Sequence, residues 1–409
     1  MNARRRQRNA ATRVAAIAMV AITLTACTPR TADDTAAGAS GDTDAPIVIG
    51  ASWPQSGPLG AVAPGLAGLE AYIQQVNDDG GVNGREIELV TADDAYDPAR
   101  LVENEKKFVE QDGAIAVVNF GGISIAGRDY LKQAGVMGVS LAGNSPLSDI
   151  ENYPLQRAFW PDVEWEGQLQ GQWLTENQPG AVVGYIGFNN DLSESQLAGL
   201  AEEGIVPAKT ALVAPGTSDL SAQVSEFQAA GVDTVIINIG APTVGATLSY
   251  LEQIDWHPTT FVSSTVSDFH TLVNQAGPDA VTDAYAFQFA KDPSDPRFEG
   301  DAGLEDYYAS MEASGHEEDA TNAIALHGYG VGEALVSAIE RAETVDSEGI
   351  VAAWDAFDGE EIALLRDGIS LNSGPLGRII FQYQLSQFDG TSWMDAGDVQ
   401  DVRDLGIVE

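Results

Sequence analysis

Residues 46–60, Pro46-Ile47-Val48-Ile49-Gly50-Ala51-Ser52-Trp53-Pro54-Gln55-Ser56-Gly57-Pro58-Leu59-Gly60, set the fold class together with the segments that come after them in the chain. Ile47 to Gly50 is a short β-branched run of the kind that forms a buried strand. Downstream, Leu66, Leu69, Ile73 and Val76 fall at i, i+3, i+7 and i+10, one face of a helix. That helix should stop at Asp78-Asp79-Gly80-Gly81. Ile87, Leu89 and Thr91 then alternate with polar residues as a second strand, and Asp97-Pro98 opens another helix. A strand, a helix and a strand within about 45 residues is a βα unit, which implies a parallel sheet.

Beyond this stretch the same rhythm recurs. Strands are predicted at Ala114 to Phe120, Gly135 to Ser140, Ala181 to Phe188, Asp233 to Ile239, Thr259 to Val266 and Asp283 to Ala290, with helical stretches such as Leu220 to Ala230 between them. Eight strands over this length suit two doubly wound α/β lobes better than one sheet. No short internal repeat points to a solenoid or propeller. In such sheets a ligand sits beyond the carboxyl ends of the strands.

Of 409 residues, 61 are Asp or Glu and 20 are Lys or Arg, a formal charge of −41. A nucleic-acid binder needs a basic footprint, so that class is excluded. Acidity on this scale reads as a solubility device, or an adaptation to salt or to a crowded envelope, rather than a binding site. The hydrophobic content of 44% excludes a disordered chain, and a single cysteine excludes an internal disulfide.

The N-terminus differs from the rest. Arg4, Arg5, Arg6, Arg8 and Arg13 precede the apolar run Val14 to Ala26, whose 13 residues are too few to span a bilayer and suit a secretory signal. Leu24-Thr25-Ala26-Cys27 resembles a bacterial lipobox. Residues 1–26 are therefore read as a lipoprotein signal peptide and Cys27 as the lipidated residue, with 27–45 a flexible tether of root-mean-square reach about 23 Å. Two or three acyl chains hold a protein stably at a membrane, whereas one does not.

Catalytic signatures are sparse. His257, His270, His316 and His327 are scattered without metal-ligand spacing, so no metal or cofactor is expected. There is neither a G-x-S-x-G elbow nor a Walker sequence, and Ser56 to Gly60 lacks the spacing of a dinucleotide loop. Glu317-Glu318-Asp319 reads as a solvated turn with Asp319 capping the helix that begins near Thr321. Binding chemistry, by contrast, gathers at predicted strand ends. Trp53, Gln55 and Ser56 follow the first strand; Gly121, Gly122 and Ser124 the third; Ala142, Gly143 and Asn144 the fourth; Phe188 and Asn189 the strand from Ala181. Glycines allow close approach, hydroxyls and amides exchange hydrogen bonds, and aromatic rings wall a pocket.

Ile47 to Gly60, Gly80-Gly81-Val82-Asn83-Gly84-Arg85-Glu86-Ile87-Glu88-Leu89 and Asp93-Asp94-Ala95-Tyr96-Asp97-Pro98 resemble the leucine/isoleucine/valine-type substrate-binding proteins of ABC transporters, the type I periplasmic-binding fold. The likeness runs to Gly374-Pro375-Leu376-Gly377. It implies two lobes joined by three crossovers, placed near Arg157 to Pro161, Tyr285 to Asp292 and Asn372 to Gly377. Lobe one is then 46–158 plus 286–373, and lobe two 159–285 plus 374–409. A ligand would be captured by hinge closure and presented to a permease and its ATPase subunits. The implied product is a monomeric, non-enzymatic, extracytoplasmic lipoprotein.

Carried onto this chain, the resemblance puts Ala142, Gly143 and Asn144 in the loop that holds a ligand head group, with Asn144 where threonine is usual. Tyr329 matches an aromatic wall. Gly121 stands where a hydroxyl would receive a carboxylate, leaving backbone N–H, with Ser124 nearby. Thr265 stands where an acid would pair with a ligand ammonium; Gly240 and Leu192 replace two aromatic positions. A buried ammonium without an anion is costly. Asp191 or Asp268 could supply the charge to an amino-acid-like ligand; an amide, an aromatic acid or a polyol would not need it. Trp160 either closes over the ligand or packs the hinge. A sensory module serving a separate receptor is the alternative role, and a small-amide hydrolase, lacking a visible nucleophile–base pair, a remote one.

Overall fold

The computed structural model describes residues 45–408. The signal-like segment, Cys27 and the tether up to residue 44 lie outside the described residues. The chain opens with β1 (Ile47–Trp53), α1 (Pro64–Asp78), β2 (Ile87–Asp93), α2 (Pro98–Lys107), β3 (Ala116–Phe120), α3 (Arg128–Ala134), β4 (Met137–Leu141) and β5 (Gln156–Ala158). It crosses into α4 (Val163–Asn177), β6 (Val183–Phe188), α5 (Asp191–Glu202), β7 (Lys209–Val213), α6 (Ser221–Ala229), β8 (Thr234–Asn238), α7 (Ala241–Gln253), β9 (Thr259–Val262), α8 (Phe269–Ala276), α9 (Pro278–Val281) and β10 (Tyr285–Gln288). It returns through α10 (Ala302–Ala313), α11 (Ala323–Arg341), α12 (Ser347–Trp354) and the small ladder of β11 (Asp358–Glu360) with β12 (Leu371–Asn372). β13 (Gln382–Phe388) and β14 (Trp393–Asp401) end it.

Two sheets result, which is the two-lobed α/β architecture that the alternating pattern predicts. The first is all parallel, ordered β2-β1-β3-β4-β5, with Ile49 opposite Ala116. Every residue of β3 and β4 is buried, as expected of strands covered on both faces. The second runs β14-β13-β10-β9-β8-β6-β7; its five strands from β10 to β7 are parallel, and β13 and β14 add an antiparallel edge. Strand order reverses between β1 and β3 in one lobe and between β6 and β8 in the other, and these switch points open the crevices where ligands lodge.

Local rules explain most boundaries. Asp97 caps α2 by accepting from the Ala99 and Arg100 amides, and Pro98 stands at its first position. The cap of α11 is Asn322, which accepts from Ile324 N–H at 3.1 Å, rather than Asp319. β10 pairs with β13 in the second sheet as far as Gln288.

The crossover region is buried rather than solvated. Trp53, Phe120, Trp160, His327, Phe289 and Tyr383 form an unbroken line of ring contacts, from 5.0 to 6.4 Å between centroids, that runs from lobe one across the crossovers. Burial holds His327 down to about 3, so its neutral ring accepts from Trp160 Nε1–H at 3.0 Å. Arg378, on the third crossover, is fully buried. It donates to the carbonyls of Trp160 (2.5 Å) and Asn144 (2.8 Å) and to Ser148 Oγ (2.8 Å), and pairs with Asp162 at 3.1 Å. One guanidinium thus ties crossover one, crossover three and the loop after β4 together.

Candidate functional site

The two switch points face one crevice. Tyr96 of lobe one lies near enough to Asp191 of lobe two for that carboxylate to act on its phenol, and the Ser145 amide donates to Ser195 Oγ across the lobes at 3.1 Å.

On the lobe-one edge, the loop after β1 is held by the carboxylate at the end of β2. Asp93 accepts from the Gln55 and Ser56 amides, the Ser56 hydroxyl (2.5 Å) and Ala95 N–H (2.8 Å). Asp94 accepts from Tyr96 N–H and Ser52 Oγ, each at 2.8 Å. These Asx bonds support two successive non-glycine residues with positive φ, Ala95 (51°) and Tyr96 (58°). A left-handed tyrosine costs energy and persists only where its surroundings over-determine it, which singles it out as a functional candidate. Its ring covers Gly121, whose φ of 79° and lack of a Cβ are both required, since a Cβ there would lie 2.8 Å from the ring. Burial pushes the Tyr96 phenol up to about 12, so it is a neutral hydroxyl.

The remaining lobe-one residues are less free than the sequence suggests. The Gly121 amide continues the β3–β4 ladder by donating to Leu141 O at 3.0 Å, and Ser124 Oγ closes a turn onto Gly121 O at 2.6 Å. Gly122 abuts the Asn144 side chain. The carbonyls of Ala142 and Asn144 accept from Arg378 and that of Gly143 from Val163 N–H, so each carbonyl of this loop already has a protein donor. Trp53 is a core residue; its indole N–H donates to Val62 O at 2.8 Å beneath the crevice. Tyr329 is not brought to these loops either. Its hydroxyl donates to Gln75 (2.7 Å), and it lines a separate cavity of about 520 Å³ between α1, α11 and residues 361–369.

The lobe-two edge is built from the ends of β6, β8 and β9. Phe188 is half-buried and Asn189 exposed, its amide bonded to Val213 O. Asn190 caps α5, which brings Asp191 toward Tyr96. Asp268 is directed elsewhere: it caps α8 through Thr271 N–H and interacts with the buried carboxyl of Asp292. Thr265 Oγ1 donates to Asn238 Oδ1 at 3.2 Å. Behind it Glu166, fully buried in the first turn of α4, accepts from Ser264 N–H (3.1 Å), Ser264 Oγ (2.6 Å), Ser263 Oγ (3.1 Å) and Gln170 Nε2 (3.1 Å). Burial raises its carboxyl to about 7 against the pull of the Ser264 and Ser263 bonds.

Tyr96, Glu166 and Arg378 are the functional candidates that sequence reasoning missed. The Asp93-Asp94 pair ahead of Tyr96 was the available signal. Among the described residues no group of three or more His, Cys, Asp or Glu is placed to hold a metal ion, and no helix is long and apolar enough to cross a membrane.

Residues 46–389 match the model of a family described as periplasmic binding protein. Leu/Ile/Val-binding protein homolog 2 of Brucella abortus is 27% identical over 202 residues, 48% of this chain and 54% of that protein, so the match spans about half of the relative. Among solved structures, a branched chain amino acid ABC transporter protein from Thermus thermophilus with bound valine superposes with a TM-score of 0.77 at 16% identity, covering 88% of this chain and 97% of that one. A solute-binding protein of Rhodopseudomonas palustris in complex with 3,4-dihydroxy benzoic acid gives 0.72 at 16%, covering 87% and 97%. At these identities the likeness is one of fold.

Proposed function

The chain belongs to the periplasmic binding protein family, a family of binding proteins rather than enzymes, and on that basis we propose that it is the solute-binding component of an ABC importer. Its ligand is a small polar organic compound, an amino acid or amino-acid-like molecule of branched-chain or related type, taken up by closure of the two lobes. The observation that carries this reading is the crevice itself: both sheets end their switch-point strands at it, and its edges hold hydroxyls, amides and rings instead of a nucleophile set against a base. The buried aromatic line through the crossovers supports hinge motion about a defined axis, with the ligand favouring the closed state.

Lobe one comprises 46–158 and the returning helices, lobe two the remainder, and the ligand contacts come from Gln55, Ser56, Gly122, Gly143, Asn144, Phe188, Asn189 and Thr265, joined by Tyr96 and Asp191. The rings of Tyr96 and Phe188 favour an aromatic acid as the second reading. Cys27 anchors the protein at the outer face of the membrane, and the partner is a permease with its ATPase subunits.

A thermal-shift screen of the purified protein against amino acids, amides, aromatic acids and polyols tests the ligand. A ligand at a hundred times its Kd adds about 2.7 kcal/mol. Stabilisation by branched-chain amino acids is expected, whereas stabilisation by aromatic acids alone selects the second reading. Cys27→Ala should move the protein from the membrane fraction to the soluble one, and retention at the membrane refutes the anchor.

A further inference from the structure

We propose that Glu166, without touching ligand, is the positioning residue that fixes the hydrogen-bond direction of the Ser263-Ser264-Thr265 loop, turning its hydroxyl protons into lobe two and its oxygen lone pairs toward the crevice. The lobe-two edge then selects the donor end of a ligand, the ammonium of an amino acid. This rests on the amino-acid reading above and names the part of the ligand that lobe two recognises.

The functional groups involved are unequal in what they can offer. A carboxylate only accepts, an amide both donates and accepts, and a hydroxyl has one proton and two lone pairs. Glu166, Gln170, Gln196, Asn238 and Ser263 have no exposed surface. With Glu166 as the anion, Gln170 turns its Nε2 to it (3.1 Å) and therefore presents Oε1 to Gln196 Nε2 (3.1 Å). Gln196 in turn presents Oε1 to Asn238 Nδ2 (2.8 Å), and Asn238 presents Oδ1 to the Thr265 hydroxyl (3.2 Å). Every proton along this relay points from the crevice toward Glu166. On the shorter route, the Ser263 and Ser264 hydroxyls and the Ser264 amide donate to the same carboxyl. No hydroxyl proton of the loop remains for the crevice. Ser264 and Thr265, both half-buried, keep lone pairs there.

The fold supports this arrangement specifically. A Cβ on Gly199 would lie 1.9 Å from Glu164 O, and one on Gly167 2.3 Å from Gln196 O, so only glycines let α4 and α5 approach closely enough for Gln196 to reach Gln170. Every hydrogen-bond partner of Glu166 is a neutral donor. Tyr185 of β6 and Tyr383 of β13 face it as well, both held far above neutrality by burial, so neither supplies a charge. An ammonium at the loop gives the buried carboxyl the counter-charge that none of its neutral hydrogen-bond partners supplies.

Calorimetric titration of the full protein with leucine and with 4-methylpentanoic acid, the same skeleton without its amine, tests the proposal. In the wild type leucine should bind more tightly. Glu166→Gln can turn an amide toward the loop and reverse its protons. It should weaken leucine by at least about tenfold while 4-methylpentanoate changes by less than about threefold. Glu166→Asp, still acceptor-only, should recover part of the loss. Thr265→Val removes the lone pairs without touching the relay's core, should show the same selectivity, and decides the matter if Glu166→Gln does not fold. Equal effects on both ligands, or none, overturn the role of Glu166 and leave the amino-acid reading standing. A wild type that takes 4-methylpentanoate as well as leucine overturns that reading before any variant is made.

Discussion

Glu105 in lobe one and Glu166 in lobe two are both fully buried and neither has a cationic partner, yet their surroundings differ. Glu105 accepts one side-chain bond, from Asn119 Nδ2 at 2.8 Å, and its second oxygen has no partner. Burial alone pushes it up to about 8. Glu166 collects donors from a backbone amide, two hydroxyls and a glutamine, and comes to rest at about 7. Both carboxyls are desolvated; the number of donors around each decides how close it stands to ionising at neutral pH. Glu105 is an acid kept neutral by its site, whereas Glu166 can be tipped to the anion by a cation at the crevice. Arg378 with Asp162 supplies the reference for a buried charge that already has its partner.

Removing that reference should have the largest effect. Arg378→Met leaves Asp162 uncompensated and frees the carbonyls of Ala142, Asn144 and Trp160, so urea unfolding should show a loss of about 3–5 kcal/mol. The loop after β4 loses its tie to the hinge in the same step, and ligand affinity should fall with stability. A loss below about 1 kcal/mol would mean that the guanidinium's pairing contributes little here, and the paired charge would no longer serve as a standard.

Glu105→Gln separates the two glutamates. Its folded pKa of about 8 stands above the ordinary 4.5, so the folded protein holds this proton more tightly than the unfolded chain. The contribution to stability is therefore fully present below about 4.5 and lost as pH rises through about 8. A neutral glutamine removes that dependence. Relative to wild type, the variant should gain on the order of 3 kcal/mol between pH 5 and pH 8 in urea titrations, with ligand affinity unchanged. A gain that does not grow with pH would show that Glu105 is ionised in the fold.

Much of the fold was legible because parallel strands covered on both faces must be apolar runs, as Ala116 to Phe120 and Met137 to Leu141 are. β13 and β14 were not: Gln382 to Phe388 mixes glutamines with rings, and β14 carries three aspartates on an exposed edge. At the crevice the sequence named strand ends but could not give the direction of their groups. Trp53 reads equally as a wall or as core until its indole N–H is seen on Val62 O. Glu166 looks like ordinary charge in the first turn of a helix, a position that favours acids anyway. Its meaning depends on Gln170, Gln196 and Asn238, which three different elements contribute and only the tertiary fold brings into line.

Ser264→Ala is the mildest way to move Glu166 toward Glu105. It removes the 2.6 Å hydroxyl bond and leaves the backbone amide in place. A hydrogen bond to an ionised group contributes about 1.5 kcal/mol or more, and that contribution exists only while Glu166 is an anion. The cost should therefore be small at pH 5 and reach about 1.5 kcal/mol at pH 8, because losing the donor raises a carboxyl that already sits at about 7. Unfolding measured at both pH values checks this. If the Ser264 proton pointed into the crevice instead, the substitution would cost the same at either pH, and the direction assigned to the whole loop would fail with it.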